Sequence, residues 1–161
     1  MDKFKVEFYL KLILIFSSIA LILAYFIEHF LGHQPCNLCL LERIPYGISI
    51  ILIITILVLK KDEKFFVLLL IITYIFSLAI SVYHYGIEQE FFQESSVCNV
   101  KNLTENMTNE DLIKQLNEKI VSCKDVTFRI FGLSLTSINI VINILFIITL
   151  TKIYFKYEKN K

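Results

Sequence analysis

Residues 65–87 read FFVLLLIITYIFSLAISVYHYGI, and apart from its tyrosines the run holds a single acid–base group, His84. A segment this apolar has no polar face to turn towards water, so it cannot lie on the surface of a soluble domain. It is also long enough to cross a bilayer, which takes about 20 helical residues. Working outward, residues 12–27, 44–59 and 130–151 are of the same kind. The first two of these are slightly short, and Lys11, Lys60 and Lys61 at their ends can reach the headgroups to make up the difference. The four blocks explain a hydrophobic content of 56% in 161 residues, against roughly 45–50% for soluble domains. They predict an all-α membrane protein: one domain over residues 1–161, a four-helix transmembrane bundle with spans at about 10–28, 44–60, 65–87 and 130–152.

The first block follows Lys3, Lys5 and Lys11, as a signal peptide would. Its apolar run is longer than a typical signal core and no small-x-small cleavage site follows, so it is read as a span. The net charge of +1 and the lack of a basic patch with interleaved aromatics exclude nucleic acid as a partner class. Basic residues orient the bundle. Lys3, Lys5 and Lys11 precede the first span. Lys60, Lys61 and Lys64 join the second to the third, and Lys152, Lys156, Lys159 and Lys161 end the chain. The positive-inside rule places both termini in the cytoplasm and the loops 28–43 and 88–129 outside. All four cysteines then share the outer side, Cys36 and Cys39 in the first loop and Cys98 and Cys123 in the second.

Cys36 and Cys39 have the C-x-x-C spacing of dithiol–disulfide exchangers, in which two intervening residues let the sulfurs meet and a helix start can favour the thiolate. Arg43 follows one helical turn after Cys39, where a guanidinium would stabilise a thiolate or the charge on a reduced acceptor. Pro45 could start or kink the second helix. Between Cys98 and Cys123, Thr108 and Asp111 resemble a capping box, and Leu112, Leu116 and Ile120 fall at helical spacing. A short amphipathic surface helix over 109–121 would carry Cys123 back towards Cys98. Three readings stay open on spacing alone: redox exchange, structural disulfides that pin the outer loops, and a metal site. Zinc is the least favoured, because only one of the pairs is close. His29 and His33, near the C-x-x-C, are read as solvated interfacial residues.

Residues 35–43, PCNLCLLER, resemble the signature of the bacterial disulfide-bond formation protein B (DsbB) family: P-C-x-x-C, then Glu-Arg. Residues 83–88, YHYGIE, are similar to the end of that family's third span, and Cys123 followed by FGLSL at 131–135 is similar to the entry to its fourth. The likeness runs through almost the whole chain. Phe128 stands roughly where family members often carry tryptophan, and the chain has none. Vitamin K epoxide reductase-like proteins place their loop cysteines before the C-x-x-C, whereas here they follow it.

The resemblance implies a quinone-dependent thiol oxidase of the bacterial inner membrane that sustains protein disulfide formation. A reduced periplasmic thioredoxin-like (DsbA-like) oxidase would attack Cys98 of a Cys98–Cys123 disulfide. Cys123 would then attack Cys36, freeing Cys39 to engage ubiquinone or menaquinone from the respiratory pool. Arg43 would steady that quinone, with His84 as a second neighbour. The implied catalytic residues are therefore Cys36, Cys39, Cys98 and Cys123, with Arg43 and His84 at the cofactor and no metal. The alternative is a structural membrane protein with disulfide-pinned loops. A channel is disfavoured, because apart from His84 the spans lack buried charge.

Two stripes of polar residues remain, Thr73, Ser77, Ser81 and His84 on the third span and Gly132, Thr136, Asn139 and Asn143 on the fourth. They are read chiefly as helix-packing faces, with lining of a quinone pocket as the lesser reading. The glycosylation-like triplets at 102–104 and 106–108 are read as chance matches.

Overall fold

A computed structural model describes residues 3–60, 62–93, 98, 122–124, 129–130 and 132–159. Four helices carry the fold: α1 Lys3–His29, α2 Asn37–Leu59, α3 Glu63–Glu88 and α4 Leu135–Lys159. Each is long and apolar enough to cross a membrane, which makes this a multi-pass membrane protein. α3 packs lengthwise against α2 and α4. α1 lies along α2 and touches α4 only briefly.

The packing is inside-out relative to a soluble bundle. Ser17, Ser49, Ser77, Ser81, His84, Thr136, Asn139 and Asn143 are buried, whereas Phe8, Ile22, Ile51, Val58, Phe76 and Phe155 are exposed. Lipid solvates the apolar exterior, and small or hydrogen-bonding residues let the helices approach and hold one another. Ser77, Ser81 and His84 on α3 and Thr136, Asn139 and Asn143 on α4 supply this interior as their spacing predicts, whereas Thr73 is only partly buried and Gly132 is exposed in the turn before α4. At one end, Leu10, Ile13, Ile53, Ile56, Val67, Leu70, Leu150 and Ile153 form an apolar core. At the opposite end, Cys36, Leu38, Ile87, Cys98 and Cys123 form a second cluster.

The boundaries depart from hydropathy where polar residues belong to a helix. α2 begins at Asn37, not near residue 44, because Cys36 caps it in extended conformation and its sulfur accepts the Cys39 N–H. Pro45 therefore neither starts nor ends the helix and lies inside it. At the other side of the bundle the run from residue 130 does not enter a helix directly. Strand β1, Arg129–Ile130, pairs antiparallel with β2, Leu133–Ser134, through a turn in which Gly132 has φ +83°. That left-handed conformation favours glycine, and α4 starts just after the hairpin. The expected helix at 109–121, the triplets at 102–104 and 106–108, and Phe128 lie outside the described residues.

After α3 the chain doubles back. Phe91 and Phe92 donate their N–H groups to the Gly86 carbonyl, and the Phe92 ring stacks on Tyr83 at 5.8 Å. The ring occupies the space that a Cβ on residue 86 would need, so glycine is a steric requirement here.

Candidate active site

The helix termini bring the four cysteines to one end of the bundle. Cys98 and Cys123 form a disulfide, with Cα atoms 5.7 Å apart, and pack in one cluster with Cys36, Leu38 and Ile87. Cys36 and Cys39 are free thiols whose sulfurs lie 2.7 Å apart. Closing them to a disulfide of about 2.05 Å takes less than about 1 Å of movement. The two sulfurs face different surroundings. Cys36 is a buried member of the cluster that holds the disulfide, whereas Cys39, packed against that cluster, also lines a cavity.

Cys36 is the more acidic thiol. The Cys39 thiol hydrogen-bonded to it is the largest influence holding it well below the ordinary thiol range. His84, 3.5 Å away through Nε2, and the Cys39 N–H add to that, while burial opposes them.

His84 is held from behind. Its Nδ1 lies 3.1 Å from Glu42 Oε1 and 3.3 Å from Thr136 Oγ1. Thr136 spends its own proton on Glu88 Oε1 at 2.6 Å. Both neighbours of Nδ1 are therefore acceptors, which assigns the hydrogen to Nδ1 and turns Nε2 towards Cys36. The other Glu42 oxygen accepts from Asn139 Nδ2 at 3.1 Å, and that amide also donates to Ser81 at 2.9 Å. Tyr46 and Asn143 donate to the Asn139 carbonyl oxygen. The site thus ties α2, α3 and α4 together through buried hydrogen bonds, with Glu88 Oε2 and Asn143 Oδ1 left without a partner among the described residues.

The cavity measures about 570 Å³ and lies between α1 and α4, where those helices stand apart. That volume is within the range of small-molecule sites. Phe16, Ile19, Leu23, Phe26, Ile138 and Ile142 make its apolar length. Cys39, Glu42, Arg43, Tyr46, Thr136 and Asn139 make one polar end. Cys39, Arg43 and Tyr46 recur along one face of α2, as the sequence spacing requires. Arg43 is pinned by α1: it pairs with Glu28 at 2.5 Å and stacks over Tyr25 at 5.0 Å. An elongated apolar molecule with a polar, reducible head fits these walls.

His84 is not among the residues lining the cavity. It stands at Cys36, with Glu42 between it and the polar end. Cys36, Cys39 and His84 place three possible metal ligands within 4.8 Å of one another. Two thiolates on one tetrahedral zinc, with Zn–S near 2.3 Å, stand about 3.8 Å apart. The 2.7 Å separation here is that of a dithiol poised to close. His29 bonds only the backbone of its own helix, through Tyr25 O at 3.1 Å, among the contacts described, and His33 lines the cavity.

Sequence reading missed Glu28, Tyr25 and Glu88 as parts of the site and treated Glu42 only as a letter of a motif, whereas Thr136 and Asn139, given pocket lining as their lesser reading, do line the cavity. The available signal was the placing of Glu28, Glu42 and Glu88 at the same ends of three apolar blocks.

A profile of the family described as "Disulfide bond formation protein DsbB" matches residues 7–153. The uncharacterized protein RP370 of Rickettsia prowazekii (strain Madrid E) is 34% identical over 163 residues, covering 99% of this chain and 93% of its own.

Proposed function

The chain belongs to the disulfide bond formation protein DsbB family, a family of membrane disulfide oxidoreductases, and from that premise we propose that it is a quinone-dependent thiol oxidase serving a DsbA-like partner. The observation that carries this reading is the division of labour within the C-x-x-C. Cys36 is a buried member of the cluster that holds the Cys98–Cys123 disulfide and does not line the cavity, whereas Cys39, at the edge of that cluster, does.

Each residue then has a task set by its position. Cys98 and Cys123, buried in the cluster at the end of the bundle where α1 joins α2, exchange with the thiolate of a large soluble partner. The released Cys123 thiolate attacks Cys36 of an oxidised Cys36–Cys39 pair, with which it shares a cluster. Cys39 is freed as the leaving thiolate at the cavity wall. A quinone bound there supplies an acceptor for two electrons and two protons. Arg43, fixed by Glu28 and Tyr25, offers a rigid positive charge at the polar end, and Cys39 is held beside it. His84 acts on Cys36, so its contribution to quinone reduction is made through the thiol. The cellular setting in this reading is the inner membrane, with the cysteines on the periplasmic side.

Purified protein, supplied with ubiquinone or menaquinone, should oxidise a reduced thioredoxin-like partner catalytically. Cys39→Ser should abolish quinone-dependent turnover while leaving the Cys98–Cys123 disulfide able to react once with the partner. A Cys39→Ser protein that turns over at the original rate would falsify the reading.

A further inference from the structure

Oxidation of a dithiol releases two protons as well as two electrons, and Cys36 has little direct contact with water through which its proton could leave. Cys36 is 5% exposed and His84 2%. Forming the Cys36–Cys39 bond with the proton left behind would strand charge in an apolar interior, which is costly. The neighbours of Cys36 offer a way out. Its sulfur meets His84 Nε2 at 3.5 Å, His84 Nδ1 meets Glu42 Oε1 at 3.1 Å, and Glu42 forms part of the polar end of the cavity.

We propose that His84 and Glu42 form an internal proton path from the Cys36 thiol to the cavity. The inference rests on the quinone reading for its acceptor. The balance is complete: two thiols lose two protons and an electron pair as one S–S bond forms, and a quinone takes up both to become a quinol. In the reduced protein His84 takes the Cys36 proton on Nε2 and leaves a thiolate, and as the S–S bond forms the ring releases a proton from Nδ1 to Glu42, which passes one on at the cavity wall. Histidine can do this because each ring nitrogen can gain or lose a proton. Glu42 is kept in place for the exchange by Asn139, which is itself held by Ser81 and Tyr46.

Other charged groups stand nearby. Arg43 pairs with Glu28 on α1. Glu88, one turn beyond His84 on α3, accepts from Thr136 through Oε1, 3.9 Å from Nε2, while its Oε2 is buried with no hydrogen-bond partner among the described residues and has no described contact with the cavity. Cys39, on α2, shares the Cys36 sulfur and not the path.

Glu42→Gln keeps the size and the hydrogen-bonding capacity of the side chain but cannot carry a proton. Two measurements test the path. In reduced protein without quinone, alkylation of Cys36 by iodoacetamide at pH 7 should slow about fivefold in the variant, because the carboxylate no longer favours a protonated His84 beside the thiol. With decylubiquinone and a reduced partner, kcat should fall about tenfold with a larger solvent deuterium isotope effect, while KM for the quinone stays within about twofold. Glu42→Asp should recover part of the loss. Unchanged alkylation together with an unchanged kcat in Glu42→Gln overturns the path. A parent protein that oxidises no partner with any quinone overturns the functional reading instead, and the alkylation result still decides whether Glu42 and His84 share a proton with Cys36.

Discussion

Cys36 and Cys39 show how three residues of separation can produce two chemically different sulfurs. As the N-cap of α2, Cys36 receives the Cys39 N–H and the Cys39 thiol and faces His84. A thiol held below its ordinary range stays a thiolate as the pH falls towards neutrality and is protonated only below its own lowered pKa. Iodoacetamide should therefore alkylate Cys36 of the reduced protein at neutral and mildly acidic pH, where an ordinary thiol reacts slowly. His84→Ala should move that profile to higher pH, and mass spectrometry of the alkylated peptide gives the measurement. The identity of these residues was legible from PCNLCLLER alone. Their partners were not, because His84, Thr136 and Asn139 lie far along the chain and reach the site only through helix packing. The resemblance implied His84 as a quinone neighbour, and in the structure its ring lies 3.5 Å from the Cys36 sulfur and does not line the cavity.

Among the elements, the four apolar blocks were easy to see and their ends were not. Hydropathy stops where Glu42 and Arg43 begin, yet α2 continues to Asn37, because those charged side chains point into a network and a cavity inside the bundle. The hairpin before α4 was hidden inside an apolar run, and Gly132 was its only local sign. Gly86 was quoted as part of YHYGIE without a reason, and packing supplies one: the Phe92 ring lies against it. Gly86→Ala should push that ring from its stack on Tyr83 and destabilise the protein by about 1–3 kcal/mol. Gly47, in α2, has nothing within 4 Å of an added Cβ. Gly47→Ala should be neutral or stabilising by up to about 1 kcal/mol. Urea or SDS unfolding of the two variants in the same detergent checks both signs.

For the whole molecule, an even number of spanning helices puts the two termini on one side and the joined ends of α1–α2 and α3–α4 on the other. All four cysteines sit at the latter end, and of the lysines that predict orientation Lys11, Lys60, Lys64, Lys152 and Lys156 lie towards the former. Reporters fused to either terminus should be active only on the cytoplasmic side. A membrane-impermeant maleimide added outside should reach Cys98 and Cys123 after reduction. Labelling from the cytoplasmic side alone would invert the topology and detach the protein from any periplasmic partner.

α1 and α4 touch only briefly, with the Phe16 and Phe146 rings 5.6 Å apart, and the cavity that holds Cys39 is walled by both helices. On the proposed reading, an acceptor carried in the bilayer would reach Cys39 along this thinly packed seam, and lipid or detergent tails would compete with it for the same walls.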